Sequence, residues 1–343
     1  MTPIGIHRPY RASVRIGFCV AMACGVCGCG NNNSNLIENP GFESSLTSED
    51  LPRGWSFSFP SGKYKHEKTD STRSGKHELL VTGSGGEAQL QTNAKPVPNG
   101  SLLECEAWLR NEETKGGQSS LAVRFVSAED SSPSETGIAG FNPKSTKWQR
   151  VHFYCRVEEA NSTAMLEIRL TGEGRVRIDD LMLKPVPHFE SSDVIADKGF
   201  ENVDEKDASP DWDFRSETKT GSFKRITKTP HRGKSCVRIE GTEGWGVLLS
   251  RRTIPPDRGR VIVQGFIRTN QGRGQLKVDY FKNGRYVVSS FSAESTGDWD
   301  MLSVESKPEL LKKADAIHVT LSAVNDGGPY SVDFDDLDVF IVP

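Results

Sequence analysis

The chain has 343 residues with 46 acidic against 43 basic side chains, a formal net charge of -3 and 35% hydrophobic residues. A near-neutral balance with both signs interspersed leaves no basic footprint for nucleic acid, and the length allows more than one hydrophobic core. The 33 glycines and 18 prolines punctuate the chain into short segments, which argues against long helices.

The first segment is an address. Arg8, Arg11 and Arg15 precede an apolar run at 16–26, which is too short to span a bilayer and has the form of a signal peptide. The run meets V-C-G-C at 26–29, which resembles a bacterial lipobox. Cys29 is then the lipidated residue. Cys24, after A-M-A, is the alternative, and Cys27 fits poorly because Val26 occupies the small-residue position. An ordinary secretory signal with incidental cysteines is the other reading. The expectation is an exported protein, lipid-anchored in the bacterial cell envelope or otherwise secreted, with a signal at 1–28 and a polar tether at 29–34. Removing 1–28 takes away three arginines and no acid, which moves the formal charge from -3 to -6.

From Asn35 the chain repeats itself. N-L-I-E-N-P-G-F-E at 35–43 is answered by V-I-A-D-K-G-F-E at 194–201, and Trp55 is answered by Trp212. Later landmarks keep the beat: T-R-S-G-K and P-H-R-G-K, A-W-L-R and G-F-I-R, Trp148 and Trp299, and the closing I-D-D-L at 178–181 and F-D-D-L at 334–337. A stable period of this length means two copies of one domain, placed at 35–187 and 193–343.

Inside each copy, short alternating runs recur between turn residues. Copy one offers 102–110, 120–126, 150–157 and 164–170; copy two offers 260–268, 275–281 and 316–322. Period two and β-branched content predict an all-β protein of two tandem β-sandwiches. One short helix is predicted at 308–314. Trp55, Trp148, Trp212 and Trp299 recur beside core-pattern residues and are read as core.

The N-P-G-F-E motif with its following tryptophan, the S-G-K or R-G-K turn, the later tryptophan and the closing I-D-D-L resemble carbohydrate-binding modules of families 4, 9 and 22. These are jelly rolls of the galactose-binding-like group, and the resemblance covers nearly all of both copies. It implies a structural calcium in each, held by Glu43 and Asp179 in the first and by Glu201 and Asp335 in the second. A hard cation suits such carboxylates. The alternation also slips at the acid pair, Val176 and Ile178 sharing one parity and Leu181 and Leu183 the other, which predicts a bulge. The alternative is that these acids cap turns at strand ends.

Sugars are held by rings stacked on pyranose faces and by polar groups bonded to hydroxyls. Strand parity turns Glu106, Trp108 and Arg110 away from the core, together with Arg124, His152, Tyr154, Glu167 and Arg169. This predicts one shallow surface. The matching positions in copy two are Gln264, Phe266, Arg268, Lys277, Asp279, His318 and Thr320, with Trp245 added from a glycine-flanked loop. The predicted ligand-binding set is Glu106, Trp108, Arg110, Tyr154, Trp245, Gln264, Phe266 and Arg268. The competing reading packs Trp108 and Phe266 beneath loops.

Cys105 and Cys155 both fall on core-facing parities in strands that could be neighbours, so a disulfide between them is a candidate in an oxidising compartment. Cys236 has no partner in its domain. No nucleophile–base motif, metalloprotease helix, P-loop or dinucleotide fingerprint occurs, and adjacent acids on a regular strand cannot converge on one glycosidic bond. The expectation is therefore no enzyme, but non-catalytic binding of a polysaccharide or glycoconjugate, reaching the membrane only through lipid and partnering a glycoside hydrolase or an envelope protein. The rival is a structural or adhesive envelope protein using the jelly rolls for protein contacts. A further rival is an accessory part in glycoside hydrolysis.

Overall fold

The computed structural model describes residues 35–44, 52–69, 72–115, 119–126, 134–141, 146–157, 163–186, 188–202, 211–295, 297–325 and 327–343. The signal, the tether up to residue 34 and Cys29 lie outside them. The first module contains β1 (Trp55–Thr69), β2 (Glu78–Thr92), β3 (Lys95–Pro96), β4 (Leu102–Lys115), β5 (Ser119–Val126), β6 (Ser134–Phe141), β7 (Gln149–Arg156) and β8 (Thr163–Val186). After the short β9 (Glu190–Ser191) come β10 (Trp212–Ser216), β11 (Ser222–Ile226), β12 (Cys236–Gly241), β13 (Gly244–Ser250) and β14 (Arg260–Gln271). The chain closes with β15 (Arg273–Lys282), β16 (Arg285–Phe291), β17 (Asp300–Glu305), the one-turn helix α1 (Pro308–Leu311), β18 (Ala316–Asn325) and β19 (Tyr330–Val342).

The second module shows its two layers separately. One sheet runs β10-β13-β18-β15-β16, and the other runs β11-β12-β19-β14-β17 with β9 added at β19. In the first module the same two layers share continuous strands. The far end of β2 pairs with the start of β1 and of β8, while its near end pairs with the end of β1 and of β8. The register shifts between Ser84 and Glu87, where Gly85 and Gly86 hold φ of 108° and 88°. A strand carries its backbone round a sandwich corner at such a glycine bulge. The fold is all-β, two tandem jelly-roll sandwiches, with helix among the described residues confined to α1 and one 3-10 turn at Pro256–Arg258.

The alternation explains each core. Leu121, Val123, Leu166, Ile168, Leu103, Cys105, Ala107 and Leu109 point between the layers of the first module, as Leu276, Val278, Val319, Leu321, Val263 and Ile267 do in the second. The repeated opening motif has a packing purpose. Phe42 and Phe200 adopt φ of 57° and 54°, rare for a bulky side chain, and each ring is buried against the following tryptophan, Trp55 at 5.4 Å and Trp212 at 6.0 Å. Trp148 and Trp299 depart from the core expectation. Both are only partly buried, beneath the guanidinium groups of Arg110 and Arg268.

The modules dock through the sheets that contain β4 and β7 in the first and β14 and β17 in the second. Leu102, Tyr154, Val186, Ile262 and Phe340 form a buried cluster between them. Tyr154 donates its hydroxyl to Glu305 at 2.5 Å, and Ser303 donates to the His152 carbonyl at 2.8 Å. Each pair is 151 residues apart, the spacing that also separates Trp148 from Trp299. Equivalent positions therefore meet each other, the signature of an isologous, pseudo-two-fold joint. β7 and β17 are both terminal strands of their sheets, so the joint covers backbone edges that would otherwise be open to pairing.

Candidate functional site

The predicted single surface divides in two, because its residues lie on different sheets. Glu106, Trp108, Arg110, His152 and Tyr154 sit on β4 and β7, whereas Arg124, Glu167 and Arg169 sit on β5 and β8 in the other layer. Parity gives the face of a strand but not the sheet to which the strand belongs.

On the β4–β7 sheet the joint takes much of the expected face. Tyr154 and Gln264 are 1% and 4% exposed. The Tyr154 N–H donates to Gln264 Oε1 at 2.8 Å, and Gln264 Nε2 donates to the Tyr154 carbonyl at 2.9 Å. Phe266 is also buried, stacked on His231 with ring centroids 3.5 Å apart. These three predicted contacts are unavailable to a ligand. Arg268 is committed to buried Asp333 and lies 4.8 Å over Trp299. Trp108 is half-buried: Arg73 covers its ring at 3.6 Å, and its Nε1 donates to Glu106 Oε1 at 2.7 Å. Arg110 pairs with Glu112 at 3.1 Å.

The open face belongs to the five-stranded sheet of the second module. Its register aligns Asp213, Leu249, Thr320, Lys277 and Phe291 in one row across β10, β13, β18, β15 and β16. The next row on one side brings His318, Asp279 and Ser289 together. On the other side Gln275 stands opposite Ser322, and Trp245 lies beyond, opposite Val324. Phe291 is 54% exposed and Trp245 38% exposed. The Lys277 ammonium lies 5.3 Å from the Phe291 ring centroid, and burial pushes its pKa down while Asp279 acts the other way. Asp279 is buried and accepts hydrogen bonds from Ser289 at 2.5 Å and Thr320 at 2.7 Å. At the far end Phe281, His318 and exposed Tyr286 make edge contacts. Rings at the margins with a charged and hydroxylated floor can hold a polar molecule that has apolar faces.

The corresponding face of the first module has different chemistry. Glu167 is fully buried and accepts from Gln91 and Arg169, each at 2.5 Å, with the Arg124 guanidinium 2.8 Å away. Two cations around one carboxylate leave this face polar and positively biased. Sequence parity singles out Lys277, Asp279 and Thr320 and misses Phe291, Tyr286 and Gln91; Trp245, expected on a glycine-flanked loop, lies on β13.

The acids expected to hold calcium lie at equivalent places in both modules. The register shifts opposite the acid pair, between Glu106 and Trp108 and between Gln264 and Phe266, and Asp180 and Asp336 take φ of 49° and 48°. This is the predicted bulge, and Asp179 and Asp335 are fully buried by it. Asp335 Oδ2 accepts the His231 N–H at 2.8 Å, while Glu201 Oε1 accepts the Lys234 N–H at 2.8 Å. Asp179 and Glu43 repeat this with Arg73, Ser74, Lys76 and His77. A Cβ on Gly199 would lie 3.9 Å from both Glu201 Oε1 and Asp335 Oδ1, and one on Gly41 would lie 3.7 Å from Asp179 Oδ1. A Cβ at either glycine would thus lie at ordinary contact distance from the carboxylates. Burial, with Asp336 adding to it, pushes the Asp335 carboxyl up to about 6. Buried carboxylate oxygens suit a hard cation, and here they accept backbone N–H groups of the following turn.

Cys105 and Cys155 are neighbours on β4 and β7, but they are not bonded. Their sulfurs are 3.8 Å apart, and both are buried thiols, as is Cys236.

No protein-family model matches the chain, and no curated protein matches it. Among solved structures it is similar to the N-terminal tandem of family 22 carbohydrate-binding modules from Paenibacillus barcinonensis Xyn10C, at 13% identity and a TM-score of 0.34, covering 92% of this chain and 100% of that one. It is also similar to the C-terminal family 22 module of Clostridium thermocellum Xyn10B, at 14% identity and a TM-score of 0.33, over 43% of this chain and 91% of that one. A third is TmCBM61 in complex with β-1,4-galactotriose, at 17% identity and a TM-score of 0.32, over 44% of this chain and 99% of that one. These three neighbours are carbohydrate-binding modules, and other similar structures are the enzymatically active domain of a phage tailspike protein and an α-L-arabinofuranosidase.

Proposed function

We propose that the chain binds polysaccharide or glycoconjugate without catalysis, through the open five-stranded sheet of its second module. The observation that carries this reading is the row in which exposed Phe291 stands beside Lys277, with exposed Trp245 at a separate position on the same face, three strands away. A pyranose laid on Phe291 or Trp245 buries its apolar face on a rigid ring. Its hydroxyls meet the Lys277 ammonium, while Thr320 and Ser289, themselves buried, direct their protons to Asp279. The Asp279 carboxylate is occupied in orienting these groups, which suits binding rather than proton transfer. Calcium, held by Glu43 and Asp179 and by Glu201 and Asp335, would neutralise buried charge where the first and last strands meet. Export and attachment through Cys29 would set this face at the cell surface.

The test is retention on insoluble polysaccharides and a glycan array, using the chain beside Trp245→Ala, Phe291→Ala and Trp108→Ala, with and without calcium chelation. Retention is expected to fall at least tenfold in the first two variants and to persist in Trp108→Ala. Chelation is expected to lower the melting temperature and to weaken binding only as the fold loosens. Folded protein retained by no glycan would sink the proposal.

A second reading rests on β16. It is a terminal strand of its sheet, and Tyr286, Val287 and Phe291 expose 57%, 45% and 54% of their surfaces. An apolar edge of this kind can recruit another protein. It would make the module an envelope contact, and the same variants would then lose a protein partner and no glycan.

A further inference from the structure

We propose that Glu104 and His152 of the first module and Glu305 of the second bind a transition-metal dication of the zinc class, which clasps the joint. The three residues come from β4, β7 and β17, and one ligand atom from each lies within 4.8 Å of the other two. His152 Nε2 is 3.1 Å from Glu104 Oε1 and 3.7 Å from Glu305 Oε1. A tetrahedral zinc with bonds of about 2.0–2.1 Å spaces its ligand atoms by about 3.3 Å, so these two separations lie on either side of the required value.

The surrounding groups orient the ligands as a second shell does. Lys184 holds Glu104 through Oε2 at 3.0 Å, and Arg260 holds Glu305 through Oε2 at 2.8 Å. Both grips leave the Oε1 atoms turned toward the imidazole. Tyr154 donates to Glu305 Oε1 at 2.5 Å and fixes that oxygen further. Ser303 Oγ lies 3.4 Å from His152 Nδ1 and can accept a hydrogen bond from its N–H, which favours the tautomer with Nε2 free for metal. One imidazole with two carboxylates favours a borderline cation over calcium or magnesium, which prefer all-oxygen shells.

Access is open. Glu104, His152 and Glu305 line a cleft of about 510 Å³ between the modules, together with Arg150, Arg260 and Ser303. Water from the cleft can complete the coordination. Because the ligands come from both modules, a bound ion stabilises the docked arrangement by linkage.

The experiment is calorimetric titration of the full-length chain with Zn²⁺, Ca²⁺ and Mg²⁺ separately, after accessible thiols have been alkylated so that the N-terminal cysteines cannot bind metal. Co²⁺ absorption reports the coordination geometry. One Zn²⁺ per chain is expected, with a raised melting temperature and Co²⁺ bands of a low-coordinate site. Affinity is expected to fall at least tenfold in both Glu305→Gln and His152→Gln, with Glu104→Gln replacing either one if it fails to fold. Absence of zinc binding, or zinc affinity unchanged in two folded variants, would overturn the site.

Discussion

Lys277 carries an ammonium into a partly buried row of the second module where Asp279 is the charge that acts on it. Burial lowers its pKa from the usual 10.5, and Asp279 opposes the shift. The folded state therefore binds this proton less readily than the unfolded chain does, and stability rises with pH through the window below 10.5. Lys277→Met keeps the aliphatic stem and removes the buried charge. At pH 7 it is expected to equal or exceed the parent in stability by up to about 1 kcal/mol, with the difference shrinking toward pH 10. Glycan retention should fall at the same time. Urea unfolding at the two pH values, beside the pull-down, reads both effects; a loss of more than about 1 kcal/mol at pH 7 would show that the ammonium stabilises the fold. A residue that costs stability and lowers binding when removed is placed for function. Parity made Lys277 legible in the sequence, but Phe291 was hidden by its own strand. β16 buries Ser289 and Ser290, whose hydroxyls meet Asp279 and Tyr280, and exposes Tyr286, Val287 and Phe291. The usual hydrophobic pattern is inverted there, and a bulge between Tyr280 and Phe281 shifts the register as well.

At the scale of elements, the repeated motifs prove to be three parts of one device. The opening turn buries Phe42 or Phe200 and presents Glu43 or Glu201; the S-G-K or R-G-K turn supplies backbone N–H groups; the bulged last strand buries Asp179 or Asp335. The parity slip at the acid pair was legible in the sequence because a bulge must change which face a side chain takes. The turn's role was not, since backbone N–H groups leave no mark in the sequence. Gly233 tests the device. It holds φ of 64°, and a Cβ there would lie 1.9 Å from Glu201 Oε1, which is fixed by the Lys234 N–H. Gly284 has a similar φ of 71° with nothing within 4 Å of an added Cβ. Gly284→Ala should cost about 1 kcal/mol from backbone strain alone. Gly233→Ala adds a displaced charge-assisted hydrogen bond and should cost about 2–3 kcal/mol. Chemical denaturation of the two variants gives the comparison, and equal losses would mean that the Glu201 contact contributes nothing.

Across the whole molecule, the joint decides what each module can reach. A sandwich has two outer faces, and here the β4–β7 sheet and the β14–β17 sheet turn theirs toward each other. The open five-stranded face of the second module and its counterpart on the first therefore lie on opposite outer sides. Glycan bound on both faces would be held as separate chains, a bridging arrangement rather than avidity on one site. This orientation was illegible in the repeat, because identical modules can dock in many ways. One side chain contributes directly to it: Gln264 satisfies both the N–H and the carbonyl of Tyr154 on the outer edge of β7. Gln264→Ala leaves two buried backbone groups unpaired, a penalty of about 2–4 kcal/mol concentrated at the joint. The wild-type chain is expected to unfold in one calorimetric transition, because the joint couples two cores. Gln264→Ala should resolve two transitions, with the isolated stability of each module preserved. Two well-separated transitions in the wild type would show that the modules fold independently, and back-to-back presentation would then no longer be enforced by the joint.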